Sequence, residues 1–75
     1  MMNELIERIK ESNNRIIKID KENNLIRIEI RNKRKSIIRN YLYIEKIDDI
    51  YKFRKDNFYK IFNNENELLE YIRNI

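Results

Sequence analysis

Leu25-Ile26-Arg27-Ile28-Glu29-Ile30-Arg31 carries the clearest alternation in the chain. Isoleucines at 26, 28 and 30 alternate with Arg27, Glu29 and Arg31. A period of two puts an apolar row on one side of an extended chain and a charged row on the other. Wound as a helix, the same residues would be scattered around its circumference and leave no apolar stripe. Arg15-Ile16-Ile17-Lys18-Ile19-Asp20 just upstream is also rich in isoleucine, and Lys21 to Asn24 between the two is polar. The pair reads as a β-hairpin.

Every turn must be made without glycine or proline, because the chain has neither. Asparagine is the next-best residue for a left-handed backbone. The expected turn markers are therefore Asn13-Asn14, Asn23-Asn24, Asn57 and Asn63-Asn64. Upstream of the hairpin, Leu5, Ile6 and Ile9 follow helical spacing, with Asn3 as the expected N-cap and Glu4 and Glu7 near the positive end of the helix dipole. This predicts a short amphipathic helix from Asn3 to Ser12.

Downstream, Asn32 to Ser36 is a polar, basic connection. Ile37 to Glu45 carries two readings. Ile38, Tyr41, Leu42 and Glu45 fit one face of a helix, whereas Ile38, Leu42 and Ile44 fit the inward side of a strand. The Ile and Tyr content favours the strand. Asp48-Asp49 marks a further turn. Ile50 to Arg54 and Phe58 to Phe62 form a second expected hairpin, closed by Lys55-Asp56-Asn57. The last segment is helical, with Asn64 as its cap, Glu67 three residues on, and Leu68, Leu69, Ile72 and Ile75 as its stripe.

These segments assemble as one small α+β domain over residues 1–75. The expected architecture is an antiparallel β-meander of about five strands, with the N-terminal and C-terminal helices packed on one face. The other face is left partly open to solvent.

Composition bounds the function. Of the 75 residues, 41% are hydrophobic and 40% charged, enough large aliphatic and aromatic side chains for one core. Ala, Val, Thr and Gln are missing along with Gly, Pro, Cys, His and Trp. The common residues are those with A/T-rich codons, which points to an AT-rich genome and raises Lys and Asn without regard to function. In size and composition the chain is similar to small proteins of phages and mobile elements, many of which inhibit host machinery by binding it.

Without cysteine there is no disulfide, thiolate nucleophile or Cys-based zinc site. Without histidine the commonest general base and metal ligand is missing. Ser12 and Ser36 are the only aliphatic hydroxyls, and neither has a histidine partner. Asp48-Asp49, with Glu45 and Glu29, could serve a metal nuclease only if further acids converged on them, so they read as turn and surface acids. No enzyme, cofactor or metal is expected. No apolar run reaches the length of a membrane span, and the N-terminus lacks a signal-peptide pattern. The expected location is the cytoplasm of a host cell, with no membrane partner.

Two features remain as candidate contacts. Residues 31–39 hold five bases, Arg31, Lys33, Arg34, Lys35 and Arg39, and no acid. Seven of the eight aromatics lie between 41 and 62. Strand alternation places Tyr41 and Tyr43 on the same face as Arg39. The phenylalanines are expected to fill the core, while the two tyrosines could stack on bases or anchor a protein interface. An RNA-recognition module is disfavoured, because its glycine-bearing strand and alternating helices are absent.

The leading expectation is a non-catalytic protein acting stoichiometrically on a host protein or ribonucleoprotein, as an inhibitor of a defence system would. It would use Arg31, Lys33, Arg34, Lys35, Arg39, Tyr41 and Tyr43. The alternative is direct DNA or RNA binding through the basic 31–39 segment. Two sheet edges leave a homodimer open as well.

Overall fold

The structure is a computed structural model that describes residues 2–75. Its elements run α1 (Met2–Ser12), β1 (Ile16–Glu22), β2 (Leu25–Arg31), β3 (Arg39–Ile47), β4 (Ile50–Lys55), β5 (Phe58–Phe62) and α2 (Glu65–Arg73). The strands form one antiparallel sheet in chain order, with both helices on the same face. The meander and the two end helices are those expected from the spacing, and residues 39–47 are a strand.

Three of the four strand connections are two-residue loops: Asn23-Asn24, Asp48-Asp49 and Asp56-Asn57. In each the first residue has positive φ, 54° at Asn23, 51° at Asp48 and 53° at Asp56. A left-handed first position gives the loop the twist that matches two right-twisted strands. Aspartate fills the role at two of the three sites, and in the last loop it is Asp56 rather than the expected Asn57. The short loops also lengthen the strands: Lys21, Glu22 and Lys55 are paired in the sheet, not part of the turns.

The core lies between the sheet and the helices. Ile26, Ile28 and Ile30 of β2, Leu42 and Ile44 of β3, and Phe53 of β4 meet Leu5 and Ile9 of α1 and Leu68 and Ile72 of α2, all at 2% exposure or less. Tyr71 packs edge-on against Phe53, with ring centroids 5.1 Å apart, and against Phe62 at 5.4 Å. A register shift at Ile17 keeps Ile16 and Ile19 on the core side although they are three residues apart. A bulge of this kind inserts one residue and restores the pleat beyond it.

Three local expectations are corrected. Ile38 precedes β3 and is 42% exposed, because the chain is still turning there. Phe58, at the start of the edge strand β5, is 51% exposed, since no helix reaches over that corner of the sheet. Helix α1 begins at Met2, so Asn3 sits inside its first turn rather than capping it. Asn64 does cap α2, its side-chain oxygen accepting from Glu67 N–H at 2.9 Å.

One buried polar side chain ties the helices together. Asn13, just past α1, donates from Nδ2 to the Ile72 carbonyl in α2 at 2.9 Å and accepts from the Arg15 N–H at 3.0 Å.

Candidate functional site

With both helices on one side, the other face of the sheet is uncovered, and the register dictates its layout. Asp20 pairs with Arg27, Arg27 with Tyr43, Tyr43 with Arg54, and Arg54 with Tyr59. Paired residues in a sheet project to the same side. One row of side chains therefore crosses all five strands. A parallel row holds Glu22, Leu25, Glu45, Lys52 and Ile61, and a shorter one holds Lys18, Glu29 and Tyr41.

Cations and tyrosine rings interleave on this face. The Arg54 guanidinium carbon lies 4.3 Å from the Tyr43 ring centroid, Arg27 lies 5.6 Å from Tyr41, and the Lys52 ammonium lies 5.0 Å from Tyr59. Such contacts draw a cation to the negative face of the ring and hold both groups in place. Acids also pair with bases on this face. Arg27 bonds Asp20 at 3.0 Å, Lys18 reaches Asp20 at 3.8 Å, and Arg39 bonds Glu29 at 2.9 Å. The hydrogen bond to Asp20 raises the Arg27 pKa above its ordinary value, with lesser help from the charge of Asp20. Tyr41 is 45% exposed and Tyr59 is 61% exposed, while Tyr43 is half-buried among its neighbours. Next to Tyr43 and Arg27 an open groove of about 830 Å³ runs beside the β1–β2 hairpin, with Leu25 and Glu45 on its wall.

The seven residues singled out in the sequence fall into two places. Arg31, Arg39, Tyr41 and Tyr43 are on the open face, Arg31 and Arg39 directly paired at its end. Lys33, Arg34 and Lys35 are in the β2–β3 loop beyond that end. Lys33 and Arg34 line a cleft of about 200 Å³ together with Arg15, Asn40, Leu42 and Lys55, on the side of the sheet that carries the helices. The basic segment is thus divided by the sheet plane and does not form one continuous surface with the tyrosines.

Arg27, Lys52, Arg54 and Tyr59 belong to the open face and were not among those seven. Arg27 was legible, because it faces outward in the alternating stretch Leu25–Arg31. Lys52, Arg54 and Tyr59 join only through the β3–β4–β5 register, which the two-residue loops fix.

Among the described residues no group of three or more acids is placed to hold a metal ion. The chain matches no family model, and no curated protein and no solved structure matches it either. The fold and this face define it as a small α+β meander protein with one uncovered, tyrosine- and arginine-bearing sheet surface.

Proposed function

We propose that the chain is a non-catalytic binding protein that engages a host protein or ribonucleoprotein stoichiometrically through the open sheet face, in the manner of a phage or mobile-element inhibitor of host machinery. The observation that carries this reading is the row Asp20–Arg27–Tyr43–Arg54–Tyr59. Tyrosine and arginine are the residues favoured at the energetic centres of protein interfaces. Here they are pre-set by cation–ring contacts on a rigid sheet, so little side-chain freedom remains to be lost on binding. The apolar contribution comes from Leu25, Ile47 and Ile61, each about two-fifths exposed.

Charge separates this reading from direct nucleic-acid binding. A phosphate-binding surface is dominated by one sign. On this face Asp20, Glu22, Glu29 and Glu45 stand among the bases, and two of them pair with Arg27 and Arg39. A mixed field of this kind suits a protein surface with complementary charges.

The test is affinity capture from a host extract with tagged protein at moderate salt, comparing the wild type with the double variant Tyr43→Ala/Tyr59→Ala. A partner retained in stoichiometric amount by the wild type and lost from the variant supports the proposal. No stoichiometric partner, or equal retention by the variant, refutes it. Absorbance at 260 and 280 nm on the same eluate shows whether nucleic acid accompanies the partner.

A further inference from the structure

We infer that the loop between β2 and β3 is a contact for an anionic phospholipid surface, separate from the tyrosine face. The loop is braced. Asn32 Oδ1 accepts from the N–H groups of Arg34 at 2.9 Å and Lys35 at 3.0 Å. Asn32 N–H donates to the Ile38 carbonyl at 2.8 Å, and Ile38 N–H donates to the Lys35 carbonyl at 2.9 Å. This last bond closes a turn with Ser36 and Ile37 at its corners. Ile37 is 89% exposed, the most exposed large apolar side chain among the described residues. Turn corners ordinarily carry small or polar residues. Here a hydrogen-bonded frame holds an isoleucine out into water, with Ile38 beside it at 42%.

Bases surround this tip. Arg31 and Arg39 flank it on the open side of the sheet, Lys33 and Arg34 on the helix side with Lys55 and Arg15 behind them, and Lys35 in the turn itself. No ion pair among the described residues engages Arg31, Lys33, Arg34, Lys35 or Lys55. The cations come off both sides of the sheet end, so a planar anionic layer meets them together when the sheet stands end-on to it. The layer must also accept Ile37. A hydrated sugar-phosphate backbone offers an aliphatic side chain nothing, whereas the boundary between headgroups and acyl chains takes it in. Basic residues beside a shallow apolar insertion are the ingredients of reversible attachment to such a surface. The sequence-based expectation of no membrane partner rested on the lack of a spanning segment, and no described helix is long and apolar enough to cross a membrane; attachment to the surface needs no span.

The experiment is vesicle flotation of the full chain at about 0.1 M salt, where charges more than ~10 Å apart are largely screened. One set of vesicles is phosphatidylcholine alone; the other carries about one-third phosphatidylserine, enough for a substantial negative surface potential. The protein should float with the anionic vesicles and not with the neutral ones. Lys33→Gln/Lys35→Gln should weaken partitioning by about twenty-five-fold, at roughly fivefold per base removed. Ile37→Ser keeps every charge and removes an exposed side chain, so it should stay folded by circular dichroism and lose partitioning severalfold. Tyr41→Ala/Tyr59→Ala should partition like the wild type, which keeps the outcome independent of the function proposed for the open face. Absence from anionic vesicles overturns the inference. So does full partitioning by Ile37→Ser, and so does retention on a nucleic-acid oligomer, unchanged by Ile37→Ser, without any vesicle binding.

Discussion

The Arg54 guanidinium sits over the ring of Tyr43, 4.3 Å from its centroid, on a face of the sheet that no helix covers. The two residues are direct cross-strand partners between β3 and β4, so the contact follows from the register and not from a chance rotamer. A double-mutant cycle with Arg54→Ala and Tyr43→Leu, read by urea unfolding, should return a coupling of about 0.5–1 kcal/mol, the range for an exposed cation–ring pair. A coupling near zero would mean that the ring is not held, and the pre-set surface proposed for binding would lose its basis.

Asn13 gives a second, structural prediction. Its amide is the only buried polar side chain among the described residues, and it joins the end of α1 to the end of α2 through the Ile72 carbonyl. Asn13→Ala should lower stability by about 1–3 kcal/mol, because the Ile72 carbonyl loses its shorter bond and keeps only the 3.3 Å bond from the Ile75 N–H, while the Arg15 N–H loses its acceptor. Asn13→Asp keeps an acceptor for the Arg15 N–H but turns a carboxylate toward the Ile72 carbonyl, and should be worse than alanine at neutral pH. Chemical denaturation of both variants decides the order; a harmless Asn13→Asp would show that the amide does not bridge the helices.

Leu25–Arg31 declared its pairing partner, its core side and its outward side, since strict alternation has one interpretation. Both helices were equally plain from their stripes. Ile38 was misplaced because a strand pattern carries no mark for its first residue; the Asn32 side chain, by holding Arg34 and Lys35, keeps the chain turning until Arg39. The open face was legible for Arg39, Tyr41 and Tyr43, which lie on one strand. It was not legible for Arg54 and Tyr59, whose place depends on pairing across loops of a length the sequence did not settle: Lys55 could have belonged to the turn, and the register would then have differed. The separation of Lys33 and Arg34 from the tyrosines had no sequence signal, because only the path of the loop decides on which side of the sheet they fall.

Those loops yield a third prediction. Asp48 and Asp56 hold left-handed backbone that a side chain with a β-carbon adopts at a cost. Asp56→Gly should therefore be neutral or raise stability, by up to about 1 kcal/mol, with the greater freedom of glycine in the unfolded chain offsetting part of the gain. Asp56→Ala should lower stability by about 1 kcal/mol, having the strain without the local hydrogen-bonding of aspartate. Thermal melts of the pair should bracket the wild type. If alanine equals glycine, the positive φ at Asp56 is not what sets this turn.

Tyr41 and Leu42 are consecutive in β3 and point to opposite sides of the sheet, so the pair tests the division between core and binding face in one comparison. Leu42 is 0% exposed and surrounded by the core isoleucines. Leu42→Ala should cost about 2–5 kcal/mol, the transfer free energy of the lost atoms plus the cavity left behind. In a chain of this size that is a large share of the total, which is on the order of 4–11 kcal/mol at ~0.05–0.15 kcal/mol per residue. Tyr41 is 45% exposed, opposite Glu29 and 5.6 Å from the Arg27 guanidinium on the open face, so Tyr41→Ala should cost no more than about 1 kcal/mol. Equilibrium unfolding of the two variants is the measurement. Near-equal losses would place Tyr41 in the packed interior and remove it from the proposed surface. A wide gap would establish that Tyr41→Ala remains folded, so that any partner this variant fails to retain is lost through the contact itself.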